Sequence, residues 1–414
     1  MGRIKEFWRK IGPGLVTGVS DDDPSGIVIY SQTGAQSGFG LLWSALFTFP
    51  LMAIIQEMCA RIGLVTGHGL AGNLRRYYPR WILVSLVSLA VAGITLNIGS
   101  DLAAMADVTH LFIPIPEPII AILYSILIVL LLIFTSYRTL ANILKWTALT
   151  VLAYMFVPFF TQTDWRETIS HTLVPSLDLN RENVLLFVAI LGTTISPYLF
   201  FWQTSMEVED KQTKLKRFMA RWIVTKHELR DMEQDVTIGM FVSNAVMWFI
   251  IVATAVTLNV HGITQINTAK DAAEALEPFV GQYAYLVFTL GIVSMGILAI
   301  PVLAGSSSYA LAEVMGWKEG LNKKFHQAPQ FYGVIIVSTL VGLMIPLLGI
   351  DPIKALFYTG VFYGITAPVL IFAILHIVNN KKLMGTHTNS PISNFLGYLV
   401  MWLMLAAAIG AFVL

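Results

Sequence analysis

Ser20-Asp21-Asp22-Asp23-Pro24-Ser25-Gly26 interrupts an otherwise apolar stretch running from about residue 11 to residue 36. Three consecutive aspartates in a membrane helix are costly, since insertion scales charge about 2.5–3.5 kcal/mol for one Asp at a helix centre. They demand water, a cation or a break in the helix. Pro24 and Gly26 supply the break: proline removes an amide donor and disfavours helix at the residue before it, and glycine accepts unusual backbone angles. Carbonyls freed around Ser20–Asp23 can then join a carboxylate in holding a cation. Asp23, next to the proline, is the first candidate ligand, with Asp21 and Asp22 as further candidates. A plainer reading is that one or two of the aspartates only cap the half-helix that follows, because Asp is a strong N-cap.

The surrounding composition sets the class. Of 414 residues, 56% are hydrophobic and 12% charged, about half the charged share of a soluble domain. Ile119–Phe134 and Phe331–Leu348 are apolar over close to a bilayer's thickness. Eleven spans are expected near 11–36, 41–66, 81–112, 117–136, 140–161, 184–204, 237–258, 281–311, 331–350, 353–378 and 391–414. They are too long and too evenly apolar for barrel strands, so an all-α integral membrane protein is expected. With the N-terminus placed in the cytoplasm, 22 of the 26 Lys and Arg residues fall inside, among them Arg3, Lys5, Arg9, Lys10, Arg138 and Lys145. Outside are only Arg166, Arg181, Lys270 and Lys354. This satisfies the positive-inside rule and puts the C-terminus outside. The basic N-terminus lacks a signal-peptide cleavage pattern, so the first span is expected to stay in place. A net charge of +1 gives no field that suggests a nucleic-acid partner. The lipid bilayer is the expected surrounding, and the sequence leaves the oligomeric state open, a monomer included. The single cysteine, Cys59, allows no internal disulfide and reads as a packing residue.

A second break, Gly192-Thr193-Thr194-Ile195-Ser196-Pro197-Tyr198, falls in the sixth span. The two interrupted spans head two blocks of five, about 11–161 and 184–378, with 391–414 as an extra helix. Matching broken helices in two halves point to a transporter with inverted repeats and a midplane site. The second break contributes oxygens only, from Thr193, Thr194, Ser196, Tyr198 and their carbonyls. Soft metals select thiolate and thioether, whereas carboxylate, carbonyl and water suit Mg²⁺, Ca²⁺ and Mn²⁺. The alternative is a Ser-Pro kink healed by threonine hydroxyls. Asp101, mid-span in Asn97-Ile98-Gly99-Ser100-Asp101, reads either as a pathway residue or as packed against a neighbouring hydroxyl. Glu57 and Arg61 are spaced for an ion pair on one helix face. Trp81, Tyr137, Tyr363 and Trp402 suit interfacial belts, and His376 an interfacial position. The mixed-charge segment 206–235 reads as a solvated helical loop, or else as a regulatory or lipid-binding element. No Walker loop, HExxH or dinucleotide fingerprint occurs. Ser306-Ser307-Ser308 has no identifiable base, so no enzyme is expected, and no cofactor beyond a transported ion.

The motifs together resemble the Nramp divalent-metal transporters over nearly the whole chain. Gly12-Pro13-Gly14 with Asp23-Pro24-Ser25-Gly26 resembles that family's GPG and DPGN signature. Ala60-Arg61-Ile62-Gly63-Leu64-Val65-Thr66-Gly67, Ser100-Asp101-Leu102-Ala103 and Ala304-Gly305-Ser306-Ser307-Ser308 resemble its second-, third- and eighth-helix motifs. The resemblance implies the fold of amino-acid/sodium symporters, with eleven helices and two inverted five-helix repeats in which helices 1 and 6 are broken. It puts the family's metal-binding aspartate on Asp23 and its two carbonyl ligands on Ser20 and Thr193. The family's metal-binding asparagine falls on Gly26, its methionine on Ser196, and its two histidines on Tyr198 and Gln203. The third-helix aspartate is kept as Asp101, but the following glutamate is Ala104. Ser196 removes the soft ligand. Tyr198, with an ordinary pKa of about 10, and Gln203 remove most of the proton route. This pattern resembles the Nramp-related magnesium transporters. The expectation is a bacterial inner-membrane importer of Mg²⁺, and also Mn²⁺, without proton coupling. Its metal residues are Asp23, Ser20, Gly26, Thr193 and Ser196, and its pathway residues Asp101, Tyr198, Asp22 and Gln203. The same fold carrying another metal or a small organic solute, or serving as a channel or sensor, is the alternative.

Overall fold

The computed structural model describes residues 12–135, 153–176, 178, 180–218 and 222–413. Arg3, Lys5, Arg9, Lys10, Tyr137, Arg138, Lys145, Arg221 and positions 140–152 of the expected fifth span lie outside them. The described chain is helical throughout. The first span is two half-helices, α1 (Pro13–Asp21) and α2 (Pro24–Ser37). Then come α3 (Trp43–Thr66), the short α4 (Leu70–Tyr77), α5 (Arg80–His110), α6 (Glu117–Phe134), α7 (Ala153–Phe160) and α8 (Trp165–Leu173). The second broken span is α9 (Arg181–Thr194) and α10 (Pro197–Phe218). It is followed by α11 (Lys226–Thr257), α12 (Ala284–Met315), α13 (Pro329–Gly342), α14 (Pro352–Val378) and α15 (Pro391–Val413). Among the described residues, nine helical stretches are long and apolar enough to cross a bilayer, with α9 and α10 counted as one. The α1/α2 pair adds a crossing whose halves are each too short alone.

Proline sets many of the starts. Pro13, Pro24, Pro329 and Pro352 open their helices, where the missing N–H has no intrahelical partner to lose. Thr225 and Glu228 form a reciprocal capping box at the head of α11. The interior of the bundle is made by α1 and α2 packed on α11, α9 on α14, and α5 on α12. Glycines let α1 lie directly on α11: a Cβ on Gly14 would strike the Val236 backbone, and one on Gly18 the carbonyl of Gly239. This is the small-residue spacing that brings membrane helices into backbone contact. The start of α1 has no capping side chain of its own. Asp235 of α11 does that work instead, accepting from Gly12 N at 2.9 Å and Gly14 N at 2.7 Å.

Three expectations change. The sixth and seventh spans were expected to end at 204 and begin at 237, but α10 runs on to Phe218 and α11 starts at Lys226. Hydropathy finds the lipid boundary, whereas a helix continues wherever its backbone bonds continue. Segment 206–235 is therefore not a solvated loop throughout: Glu207, Glu209 and Lys211 are buried. Lys211 Nζ donates to Ile223 O at 2.6 Å and faces Glu228 at 3.3 Å, while Glu209 accepts from the Tyr309 hydroxyl and from Leu321 N at 3.1 Å. Tyr363 is not interfacial. It is buried within α14, where Gly93 of α5 leaves room for its ring, 6.1 Å from the ring of Tyr198. Other readings hold. Arg61 pairs with Glu57 at 2.7 Å, Trp81 is exposed, and Cys59 is buried. His376 takes a 2.5 Å bond with the Tyr78 hydroxyl.

After α12 the chain turns through Glu319, whose carboxyl lies near Glu313, Glu209 and Lys323. Burial first, then the Glu313 charge, push its pKa up to about 9, against the pull of Lys323. The folded state thus holds a proton that the unfolded state releases near its ordinary value of 4.5. Stability from this group is fully present below that value and is lost as pH rises toward 9.

Two tests follow from the packing. Gly18→Ala is expected to cost on the order of 1–3 kcal/mol through forced separation of α1 and α11, read as a lower Tm in detergent. Gly333→Ala, with nothing within 4 Å of the added carbon, should melt like wild type. Glu319→Gln should melt above wild type at pH 8–9 and level with it near pH 5. A difference independent of pH would mean that Glu319 is ionised throughout.

Candidate cation site at the paired helix breaks

At the first break α1 ends on Asp21, and Asp22 (φ −81°, ψ 51°) leaves the helical region. Asp23 is extended (φ −69°, ψ 174°) before α2 restarts at Pro24. Asp23 is the N-cap of α2: its Oδ1 accepts from Gly26 N at 2.9 Å and from Ser25 Oγ at 2.5 Å. Its Oδ2 accepts from Asn97 Nδ2 of α5 at 2.8 Å. The Ser25 amide is a further donor to this carboxylate; the group keeps its negative charge while accepting from them all, and that charge is what draws a cation. Capping and cation binding thus fall on the same side chain and do not exclude one another.

At the second break α9 ends at Thr194 and Ile195 turns away (φ −114°, ψ 57°) before Pro197 opens α10. Ser196 Oγ, with one proton, faces Thr193 O at 2.7 Å and Gly192 O at 3.0 Å. Its lone pairs stay available. The two breaks touch. Tyr198 donates to Ser20 O at 3.0 Å, and Ser25 Oγ lies 3.3 Å from Thr193 Oγ1. A Cβ on Gly26 would lie 3.2 Å from the Tyr30 ring and 3.6 Å from Thr193 Oγ1. Ser20, Asp23, Gly26, Thr193, Ser196 and Tyr198 are therefore brought together and buried.

Three other expected residues stand apart from that cluster. Asp22 turns to α11, where Ser243 Oγ lies 3.2 Å from its Oδ1 and 2.9 Å from Asp21 Oδ2. Gln203 joins α10 to α1, 2.5 Å from Thr17 Oγ1 through its oxygen and 3.0 Å from Glu207 through its nitrogen. Asp101 is fully buried on α5, and among the described residues neither of its oxygens has a hydrogen-bond partner. The hydroxyl next to it, Ser100 Oγ, bonds Thr359 at 3.0 Å instead, so packing against a neighbouring hydroxyl does not describe Asp101. Among the described residues no group of three or more His, Cys, Asp and Glu side chains is placed to hold a metal. A cation here must rely on one carboxylate with carbonyls, hydroxyls and water.

Sequence reasoning missed Asn97, Ser243 and Asp235. Asn97 had a usable signal: it precedes Asp101 by one helical turn, so both share a face of α5. Ser243 had none, since small hydroxyl residues are common in apolar helices.

Residues 14–414 match the family model described as natural resistance-associated macrophage protein-like, Nramp. The chain belongs to the Nramp family. Similar Nramp-type sequences include the divalent metal cation transporter MntH of Caldanaerobacter subterraneus subsp. tengcongensis, 25% identical over 96% of this chain and 91% of that protein. MntH of Mycobacterium leprae is 24% identical over 96% and 90%. In fold, the chain is similar to the manganese transporter of Eremococcus coleocola solved with an aromatic bis-isothiourea compound. The TM-score is 0.81 at 15% identity, covering 97% of this chain and 86% of that one. It is also similar to Mhp1, a nucleobase-cation-symport-1 family transporter in a closed conformation, with TM-score 0.62 at 12% identity over 97% and 91%. The all-helical Nramp architecture with broken first and sixth spans is thereby established.

Asn97→Leu would strip the Asp23 carboxylate of a buried donor, at a cost of about 1–3 kcal/mol. Tm in detergent should fall by several degrees. Thr95→Val, which loses only a bond to its own helix at 2.8 Å, should be close to neutral. Equal melting of the two variants would detach Asn97 from the site.

Proposed function

We propose that this Nramp-family chain is a secondary transporter that imports hard divalent cations, Mg²⁺ and also Mn²⁺, by alternating access and without proton coupling. The relatives named as divalent metal cation transporters support the substrate class. The observation that carries the finer reading is the donor set: one carboxylate, Asp23, faces a second break that offers hydroxyl and carbonyl oxygen and no sulfur. Mg²⁺ dehydrates reluctantly and is held by one or two carboxylates with retained waters. The carbonyls of Ser20 and Thr193, the Ser196 hydroxyl and the space left by Gly26 suit such an ion. Sulfur is what would favour softer ions over abundant hard ones.

The proton side of the reading rests on two side chains. Tyr198 has its O–H committed to the Ser20 carbonyl, and Gln203 is an amide that cannot carry a net proton. Asp101 and Asp22 line the route as acids without a histidine partner. The membrane potential alone supplies about 4.6 kcal/mol per divalent ion at 100 mV. Alternating access is assigned to the two repeats, 11–161 and 184–378, with α1 swinging from its seat on α10 and α11. The protein is assigned to a bacterial inner membrane, N-terminus inside and C-terminus outside, and one copy is sufficient for transport.

Proteoliposomes loaded with a Mg²⁺ dye test this. Wild type should take up Mg²⁺ and Mn²⁺, and Asp23→Ala should lose at least tenfold in rate. A pH dye inside the same vesicles should record no acidification during uptake. Wild-type transport by Asp23→Ala would remove the site assignment, and metal-driven acidification would remove the uncoupled mechanism.

A further inference from the structure

At the Lys/Arg-rich end of the bundle, away from both breaks, a cavity of about 450 Å³ opens between α4 and the C-terminal end of α12. That is within the ordinary size of a small-molecule site, roughly 300–1,000 Å³. His68, Arg75, Arg76, Glu313, Trp317 and Glu319 line it. Nothing in the transport reading uses it.

Its electrostatics follow from the bonds each group makes. His68 Nδ1 lies 2.7 Å from the Thr66 carbonyl, so that nitrogen carries the hydrogen. Nε2 is then free to accept from Arg76 at 2.5 Å, and the ring is neutral. Arg75 donates to the Glu313 backbone carbonyl at 3.1 Å. Among the described residues, no carboxylate lies within 4.0 Å of either guanidinium. The Glu313 carboxylate is held by backbone amides. It accepts from Gly69 N at 2.5 Å and Gly72 N at 2.9 Å, the amides that open α4. Glu319, protonated near neutral pH for the reasons given above, adds no negative charge there. The lining thus carries two guanidinium charges against one carboxylate already occupied by backbone amides. The acids do not assemble into a cation cage.

We propose that this cavity binds a phosphate-bearing anion, held by Arg75 and Arg76. Guanidinium is the side chain best matched to phosphate, through paired N–H donors at fixed spacing. The same chemistry is offered by a free phosphate and by the headgroup of an anionic phospholipid. Placement favours the headgroup. Met315, exposed at 56%, ends α12 beside the site, and Trp81, exposed at 71%, lies at the start of α5 just after α4; exposed aromatic residues mark the headgroup level of a bilayer. Basic pockets between helices at that depth hold anionic headgroups.

The test uses the full chain in neutral detergent and reads Tm as ligand is added. Phosphatidylglycerol should raise Tm of wild type, phosphatidylcholine should not, and R76Q should lose at least half of the rise. Among the described residues Arg76 bonds only to His68, so R76Q is expected to fold; R76K, which keeps charge but not the fork, is the second variant and should also bind more weakly. Inorganic phosphate is the third arm. A rise with phosphatidylglycerol alone assigns a lipid headgroup, and a saturable, Arg76-dependent rise with phosphate assigns a soluble anion. A rise that R76Q and R76K both retain in full, or no anion-specific rise in wild type, overturns the proposal. Because Mg²⁺ uptake is not the readout, either outcome leaves the transport reading to its own test.

Discussion

In the middle of a bilayer a peptide group has no water to turn to, and an unpaired one costs several kcal/mol. The structure breaks two helices at that depth and must answer for every amide and carbonyl it frees. It does so locally and reciprocally. Asp23 receives the first amides of α2, Ser196 covers the last carbonyls of α9, and Tyr198 of one break closes on the Ser20 carbonyl of the other. The bonds that make the breaks tolerable also gather the oxygens into one place. That cluster of oxygens is in this sense a by-product of making two interrupted helices stable in lipid.

The three aspartates divide their duties. Asp23 faces α5 through Asn97, while Asp21 and Asp22 face α11 through Ser243. The run of three acids is thus spread over two neighbouring helices, with two of them sharing one hydroxyl. The sequence shows the run but not the spread, because that depends on which neighbouring helix offers a hydroxyl or an amide.

Much of the fold was legible in the residues. The apolar spans among the described residues, the two breaks and the pairing of Glu57 with Arg61 all follow from local pattern, apolar length, proline and helix spacing. The cluster of Ser20, Asp23, Thr193, Ser196 and Tyr198 was legible because each lies inside a break that the sequence marks. What stayed hidden depends on packing between distant segments. Tyr363 looks like any interfacial tyrosine until Gly93 makes space for it. Glu209 and Lys211 look solvated until the turn after α12 and the residues ahead of α11 close over them. Hydropathy averages over a window and so registers where lipid ends, not where a helix ends.

Among the bonds that hold α1, those at its two ends differ in their surroundings. Its inner end is held by the Tyr198 bond, deep in a region that excludes water. Its outer end is held by Asp235, whose bonds to Gly12 and Gly14 are only partly buried. When the outer bonds part, water replaces each of them, and an exchange of that kind changes the free energy by only about 0.5–1.5 kcal/mol. Parting the inner one leaves orphaned groups. Of these end bonds the one to Tyr198 is therefore the costlier to part, and a displacement that frees Gly12 and Gly14 from Asp235 is opposed less by lost hydrogen bonding than one that frees Ser20 from Tyr198.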